Sequence, residues 1–333
     1  MLSNGVAIVR QTLAGGFERY RLITSFESWD NARMNKWFST LVVAAFLTIA
    51  VCEPANCQEP QQASKYSVKK LAFEVSGGGF PMPRSDIFVL EATGAKPRRL
   101  VEGSNPAWSP DGGRIAYCVR SGNGYGEIQI INQDGSGHAQ VTKTRYGGCL
   151  PDWSPDGEKI AFTAHGGKTP KVVVIGKNGE NPTEITNGYG ARWSPNGEQL
   201  LFCRHPESHR ESASIWIINA DGTGERKVIE DNSTVLEPSW SPGGASIVFA
   251  SEREKKSTIF RVNLDGTGLE RLASDKEFAF FFPLLSPDGQ QIIVDGYATS
   301  SKSTGTVLLL ELAGHSGKVL AQGIHPSVLW QKE

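Results

Sequence analysis

The side chains that could do chemistry are few, and their spacing does not favour catalysis. The nearest approach to the serine-hydrolase motif GxSxG is GHSGK at 314–318, where lysine replaces the last glycine. His205 and His209 have the i, i+4 spacing of a metal-binding helix, but Pro206 between them predicts a polar loop. HExxH, GxxxxGK[ST] and a GxGxxG followed by a helix do not occur. We therefore expect no catalytic residues and no metal ligands.

Composition narrows the fold and the class of partner. The 333 residues include 37 glycines and 18 prolines, with 39% hydrophobic and 21% charged residues, which indicates a globular, turn-rich and predominantly β protein. Lys plus Arg number 34 and Asp plus Glu 35, so the net charge of −1 argues against a nucleic-acid partner. No CxxC spacing occurs, and Cys118 and Cys203 end equivalent apolar strands. We expect both to be buried free thiols rather than disulfide partners.

One continuous apolar segment, residues 37–52, precedes the turn-rich region. Its sixteen residues are fewer than the roughly 20 that a spanning helix needs, so they fit the core of a signal peptide beginning at Met34. Residues 55–57 (ANC) supply small side chains for cleavage before Gln58. Lipid attachment at Cys52 and an uncleaved signal anchor stay open as alternatives. We expect a periplasmic or secreted protein without a membrane span in its mature chain.

A repeated turn reveals the internal organisation. WSPDG at Trp108 recurs as WSPDG at Trp153, WSPNG at Trp193, WSPGG at Trp240 and LSPDG at Leu285, with spacings of 45, 40, 47 and 45 residues. Proline favours the i+1 position of a type I turn, and glycine accepts positive φ. A period in the forties with short apolar strands is typical of a β-propeller that has one four-stranded blade per repeat.

Two further markers each count six blades. A short apolar strand recurs at 71–73, 115–117, 160–162, 200–202, 247–249 and 292–294, and a strand that runs into a glycine turn ends at 94, 135, 179, 222, 266 and 314. We therefore predict an all-β, six-bladed propeller of four-stranded antiparallel blades. The first repeat lacks its tryptophan strand, so a C-terminal strand near Trp330 should close the ring. The predicted divisions are 1–57 for the extension and signal peptide, 58–66 for a linker and 67–333 for the propeller.

The W/L-S-P-x-G turns, each followed by an apolar strand and a DG-like turn, resemble the WD40-like PD40 repeat of TolB-like propellers. The resemblance covers about Ser67 to Trp330 and implies the propeller fold, whereas its implications for function are weak because propellers serve many tasks. We expect neither the α/β domain that precedes the propeller in TolB nor the hydrolase domain that follows it in prolyl oligopeptidases. Partner contacts of TolB that depend on that α/β domain or its flanking tail therefore cannot be carried over to this sequence.

The loops sort into two faces. The WSPDG turns and the DG-like turns share one face in an antiparallel meander, and the opposite face carries the more variable loops. Among Phe280, Phe281 and Phe282, at least one should reach the channel mouth, because consecutive strand residues alternate in direction. Asp152 and Arg192 each precede a tryptophan in adjacent blades, which predicts an inter-blade ion pair. The candidate binding residues are Tyr146, Tyr189, Arg192, Arg204, His205, Glu237, Phe278, Phe280, Phe281, Phe282 and His325.

These observations favour a monomeric, exported, non-enzymatic propeller that binds another envelope or secreted protein. The alternative is a propeller that binds a glycan or a small molecule, or a propeller enzyme such as a polysaccharide lyase. Such an enzyme can assemble its site from single residues of different blades and leave no local motif. Convergent Arg, His and Tyr side chains with a bound ion would favour the enzyme, and a broad aromatic patch would favour protein binding. We expect no cofactor, and a channel-bound ion is left open.

Overall fold

A computed structural model describes residues 7–12, 18–23, 46–48, 64–76, 84–91, 95–120, 126–142, 147–204, 213–231, 235–254, 256–299, 305–313 and 316–333. The chain divides into two compact units, Met1–Val43 and Ala44–Glu333. In the first unit, strands β1 (Ala7–Thr12) and β2 (Glu18–Ile23) pair antiparallel. Most of the predicted signal segment, the predicted cleavage site and most of the linker lie outside the described residues. Of residues 37–52 only β3 (Phe46–Thr48) is described.

The second unit is a ring of six four-stranded antiparallel blades, as the repeats predict. Blade 1 contains β27 (Ile324–Lys332), β4 (Tyr66–Ser76), β5 (Ser85–Leu90) and β6 (Arg98–Glu102). Blade 2 contains β7 (Ser104–Trp108), β8 (Arg114–Arg120), β9 (Gly126–Asn132) and β10 (Ala139–Gln140). Blade 3 contains β11 (Gly147–Trp153), β12 (Lys159–His165), β13 (Lys171–Gly176) and β14 (Thr183–Asn187).

The other three blades repeat this order. Blade 4 contains β15 (Tyr189–Trp193), β16 (Gln199–Arg204), β17 (Ala213–Asn219) and β18 (Arg226–Asp231). Blade 5 contains β19 (Val235–Trp240), β20 (Ser246–Ser251), β21 (Thr258–Asn263) and β22 (Glu270–Ala273). Blade 6 contains β23 (Phe278–Leu285), β24 (Gln291–Ala298), β25 (Thr306–Glu311) and β26 (Ser316–Gln322), and β3 pairs with β26 as a fifth strand. The first strand of each blade contacts those of the two neighbouring blades, so these six strands surround the axis.

The tryptophans of the repeat are buried between blades. Trp153 donates its indole N–H to the carbonyl of Ala107 at 3.2 Å, and Trp240 donates to the carbonyl of Arg192 at 3.0 Å. Each of these rings packs in the apolar cluster of the preceding blade, where Trp240 is 8% exposed. The tryptophan positions therefore hold neighbouring blades together through apolar burial.

The W-S-P-x-G turns are built by their own side chains. In the first copy, Asp111 Oδ1 accepts hydrogen bonds from Ser109 Oγ at 2.5 Å and from the Gly113 N–H at 3.0 Å. These hydrogen bonds lower the pKa of Asp111. Asp156 and Asp288 repeat the arrangement, so the turn aspartates are structural, as their positions predict. We call the side of the ring that carries these turns the turn face.

The C-terminal strand closes the ring. β27 pairs with β4, and Val328 lies opposite Leu71 in the register that each repeat tryptophan occupies in its own blade. Trp330 lies beyond a second register shift, opposite Val68. The closure is as predicted, but Val328 rather than Trp330 occupies the tryptophan position. The 45 residues between Leu285 and Trp330 match the repeat length, but repeat length alone does not determine the strand register.

The chain enters the propeller on the turn face. The Ser64 hydroxyl and the Lys65 N–H both donate to the carboxylate of Asp288, at 3.0 Å each. The N–H of Glu333 donates to the carbonyl of Lys65 at 2.8 Å. These bonds fix the beginning and the end of the ring beside the turn of blade 6.

Candidate functional site

A β-bulge interrupts the innermost strand of every blade at the same place. At each bulge the pairing register shifts, three residues before the tryptophan position. The first bulge residue has a positive φ in all six blades: Asn105, Leu150, Gly190, Glu237, Phe282 and His325. In five blades the next residue is a buried proline: Pro106, Pro151, Pro238, Pro283 and Pro326.

The bulges accommodate the prolines, and blade 4 forms the same bulge with Gly190 and Ala191. A proline has no N–H to donate to the neighbouring strand, so a strand accommodates it best where the ladder is already interrupted. Three of the bulge N–H groups donate instead to a side chain of the preceding blade. The acceptors are Glu74 for Asn105 at 3.2 Å, Thr163 for Gly190 at 2.9 Å and Asp295 for His325 at 2.9 Å. The bulges are therefore fixed parts of the contact between blades.

Five of the six bulge residues meet at one pocket on the ring axis, which we call the central pocket. It is lined by Asn105, Pro106, Leu150, Pro151, Arg192, Glu237, Phe282, His325 and Pro326. Its volume is about 20 Å³, which is room for about one or two water-sized groups. Its walls combine proline, leucine and phenylalanine side chains with three charged groups.

On one side of the pocket His325 joins three blades. Its Nδ1 lies 2.7 Å from Glu74 Oε2, and its backbone N–H donates to Asp295 Oδ2 at 2.9 Å. Asn105 Nδ2 lies 3.3 Å from the same ring nitrogen, and the ring meets that of Phe282 edge-on, with centroids 4.5 Å apart.

The carboxylates set the protonation of this histidine. Burial disfavours the charged imidazole, but the hydrogen bond and charge of Glu74, together with the charge of Asp295, outweigh it and raise the pKa of His325. In turn, burial alone would raise the pKa of Glu74, and the hydrogen bond and charge of His325 lower it. The two groups therefore form a charged pair.

On the other side Arg192 lies between two carboxylates. Its Nη1 is 3.4 Å from Asp152 Oδ1, which is the inter-blade ion pair that the sequence predicts, and its Nη2 is 3.6 Å from Glu237 Oε2. The second oxygen of Asp152 accepts the Trp193 N–H at 2.8 Å. Burial raises the pKa of both Asp152 and Glu237, and the charge of Arg192 counteracts only part of this effect.

Two carboxylate oxygens of this network lack a hydrogen bond to the described part of the chain. They are Glu237 Oε2 and Asp295 Oδ1, and both atoms are buried. Asp295 is completely inaccessible, and its burial raises its pKa to about 7 despite the opposing charge of His325. The network therefore has more acceptor capacity than its own donors fill.

An apolar surface adjoins the central pocket, and Phe282 belongs to both. We call this surface the aromatic groove; it is open and shallow and consists of Ala279, Phe281, Phe282, Tyr297, Ala298 and Thr299. The rings of Phe281 and Tyr297 meet edge-on with centroids 5.4 Å apart. The central pocket and the aromatic groove together form a mixed surface on the face opposite the turn face.

A family profile described as "TolB beta propeller domain", PD40, matches residues 113–328, which is more than half of the chain. The chain belongs to the PD40 family. Within a stretch of 63 residues, this PD40 propeller is 36% identical to the Tol-Pal system protein TolB of Legionella pneumophila, which covers 19% of this chain and 15% of that protein.

Two solved structures support the same fold. TolB from Acinetobacter baumannii has a TM-score of 0.64 at 20% identity over 78% of this chain and 66% of that one. A putative TolB from Agrobacterium tumefaciens has a TM-score of 0.60 at 19% identity over 80% of this chain and 99% of that one. This PD40 propeller thus spans just under two thirds of the first structure and only a small part of the Legionella protein.

The structure brings together some of the candidate binding residues that the sequence predicts. Arg192, Glu237, Phe282 and His325 line the central pocket, and Phe281 lies in the aromatic groove. Their role in binding stays a prediction. Tyr146 and His205 lie outside the described residues.

The remaining nominated residues lie elsewhere. Phe280 is fully buried in the apolar cluster between blades 5 and 6, and Phe278 and Tyr189 pack against blade clusters. Arg204 donates to both carboxylate oxygens of Glu225 at 2.9 and 2.7 Å and stacks on Trp216, with 4.5 Å from its guanidinium carbon to the ring centroid. The side chain of Arg204 is thus already committed to contacts within this PD40 propeller.

Sequence reasoning missed Glu74, Asn105, Asp295 and Tyr297. Two signals could have found three of them. Glu74 and Asp295 both stand three residues after the first residue of an apolar repeat strand, and Asn105 precedes a proline exactly as Glu237 and His325 do. Tyr297 carries no such repeat signal.

Within the described ranges, no group of three His, Cys, Asp or Glu side chains is arranged to hold a metal ion. The absence of a cofactor and the question of a channel-bound ion stay as expectations from the sequence. The described part of the chain likewise contains no helix with the length and apolarity of a membrane span. Its three free thiols are the buried Cys118 and Cys203, as expected, and the half-buried Cys149.

Proposed function

We propose that this PD40 propeller is an exported, non-enzymatic protein that binds a protein partner in the periplasm or cell envelope. The partner binds across the central pocket and the aromatic groove. The similarity to TolB, the signal-peptide pattern of residues 34–57 and the family's use of propellers as scaffolds support this proposal.

The volume of the central pocket is the observation that carries the proposal. Sites for small molecules enclose about 300 to 1,000 Å³, whereas the central pocket has about 20 Å³ and cannot enclose a sugar unit. The aromatic groove has a volume of about 400 Å³, but it is open rather than enclosed, and Thr299 and the Tyr297 hydroxyl are its polar side-chain groups. An open aromatic surface beside a small charged centre has the composition of a protein interface.

Site-specific photocrosslinking in the intact chain tests this function. Benzoylphenylalanine would replace Tyr297 in the aromatic groove and, as a matched control, Tyr66, a half-buried tyrosine of β4 near the turn face. Irradiation in the native envelope should give a discrete protein adduct at position 297 that position 66 does not give. Phe282→Asp should abolish this adduct while the thermal unfolding temperature stays close to that of the parent.

Identical adducts at both positions, or no protein adduct at position 297, would contradict the proposal. Release of an unsaturated sugar product from a polysaccharide panel by the purified chain would favour the lyase alternative instead. Loss of that activity on substitution of Arg192 or His325 would place the reaction in the central pocket.

A further inference from the structure

The central pocket has a definite chemical preference, which its wall and its charges together set. Pro106, Pro151 and Pro326 form an apolar collar with Leu150 and Phe282. A side chain that fills a pocket of this size must be slender. An apolar stem suits the collar residues, and a polar tip suits Arg192, Glu237 and His325.

The polar groups around the pocket carry more carboxylates than cations. One carboxylate, Glu237, lines the pocket, and three more lie one neighbour away: Asp152 beside Arg192, and Glu74 and Asp295 beside His325. Two cations, Arg192 and His325, line the pocket. Arg192 lies between Asp152 and Glu237, and the His325 ring pairs with Glu74 while its backbone N–H donates to Asp295. The network therefore contains two more carboxylates than cations.

The atoms without hydrogen bonds agree with this balance. Glu237 lines the pocket, its side chain is 11% exposed, and its Oε2 accepts no hydrogen bond from the described residues. Arg192 approaches this oxygen only to 3.6 Å. Asp295, behind His325, also keeps one oxygen without a donor. As a carboxylate, Glu237 Oε2 can only accept, so the group that completes the pocket beside it must donate a hydrogen bond.

We infer that the central pocket receives the side-chain ammonium group of a lysine on the bound protein partner. The inference rests on the proposed function and names the chemistry of its central contact. An ammonium group is compact and about the size of a water molecule, which matches a pocket with room for about one or two water-sized groups, whereas the guanidinium of arginine is planar and broader. The methylene stem lies along the proline collar, and the ring of Phe282 adds a cation–π contact.

Burial effects support the same reading. Burial raises the pKa values of Glu237, Asp152 and Asp295, and the charges of Arg192 and His325 counteract only part of this effect. An additional cation would supply the missing compensation. An anionic group would meet Arg192 and His325, but it would add a fifth negative charge to a network that already has an excess.

The probe for this inference is Nα-acetyl-lysine N-methylamide, titrated into the intact chain and followed through the NMR signals of the Leu150 methyl groups. Because the probe is a single side chain, we expect a dissociation constant of about 1 to 10 mM. Acetylation of its Nε removes the charge and should weaken binding by about tenfold or more. The arginine and glutamate analogues should bind more weakly than the lysine probe.

A pair of variants locates the contact. Glu237→Gln keeps the shape of the side chain and should weaken the lysine probe about tenfold. The matched control is Glu184→Gln, which removes an exposed carboxylate that pairs with Lys171 on blade 3 and should leave the affinity unchanged. Equal binding of the lysine probe and its Nε-acetyl form, tighter binding of the glutamate analogue, or no saturable binding would each overturn the inference.

The ligand series uses the unmodified protein, so it stays decisive even if a variant fails to fold. It is also independent of the proposed function. A protein adduct at position 297 together with a failed ligand series would leave protein binding in place and remove the lysine contact.

Discussion

Replacement of Asp295 by asparagine should stabilise the propeller at alkaline pH. Asp295 is completely buried, and burial raises its pKa from 3.8 to about 7. Because the folded protein holds this proton more tightly than the unfolded chain, stability falls as the pH rises from the unfolded value towards the folded value. Asparagine cannot ionise, and its carbonyl oxygen can still accept the His325 N–H.

The magnitude follows from the two pKa values. At about 1.4 kcal/mol per pKa unit, ionisation of Asp295 costs the folded state about 2.5 kcal/mol more at about pH 8 than at about pH 5. The substitution also removes a charge that helps to protonate His325, so we expect a net difference of about 2 kcal/mol. For a propeller of this size, that difference raises the unfolding temperature by roughly 4 to 8 °C.

Urea unfolding followed by tryptophan fluorescence at a series of pH values measures this difference. The stability gain of Asp295→Asn over the parent should grow from about pH 5 to about pH 8 and then level off. Asp156→Asn is the matched control. Hydrogen bonds from Ser154 and from the Glu158 N–H lower the pKa of Asp156, so its contribution is lost only as the pH falls below the usual range. A stability difference for Asp295→Asn that is the same at both pH values would refute the reasoning.

Two further predictions concern the scaffold. Trp240→Ala removes a ring that is 8% exposed, together with its hydrogen bond to the carbonyl of Arg192. It should lower the free energy of unfolding by about 3 to 5 kcal/mol, measured as a lower urea midpoint. An unchanged midpoint would contradict the packing of this ring between blades. Gly243→Asp supplies the carboxylate that Asp111 provides in its own turn, at a site with open space and without positive φ, and should stabilise by about 1 kcal/mol in calorimetry. A lower unfolding temperature for Gly243→Asp would show that the turn of blade 5 has a different geometry.

The repeats made the architecture predictable from the sequence. Each W/L-S-P-x-G turn carries its own hydrogen-bonding groups, as Ser109 and Asp111 show, so local sequence determines local structure five times with small variations. The register of the closing strand was less accessible. Spacing alone placed Trp330 in the tryptophan position, whereas the strand register places Val328 there, 43 residues after Leu285.

The candidate site was only partly predictable. Arg192 and Glu237 stand at recognisable positions relative to a tryptophan, and their convergence depends on the six-fold ring that the repeats predict. Arg204 is the last residue of β16, and Glu74 lies close to the end of β4, the equivalent strand of blade 1. Arg204 nevertheless contacts Glu225 and Trp216 rather than the groups at the axis. The direction of such a side chain depends on the packing of neighbouring blades, which the spacing of residues within one repeat does not predict.

The bulge ring has a consequence for how this protein could diversify. Six backbone positions of the same conformation carry Asn, Leu, Gly, Glu, Phe and His, while the prolines and tryptophans beside them serve the scaffold. An exchange at one position alters the chemistry presented at the axis, while the buried tryptophans continue to pack between the blades. The specificity of the axial site can therefore change through a substitution in a single blade, while the backbone of the other five bulges keeps its conformation.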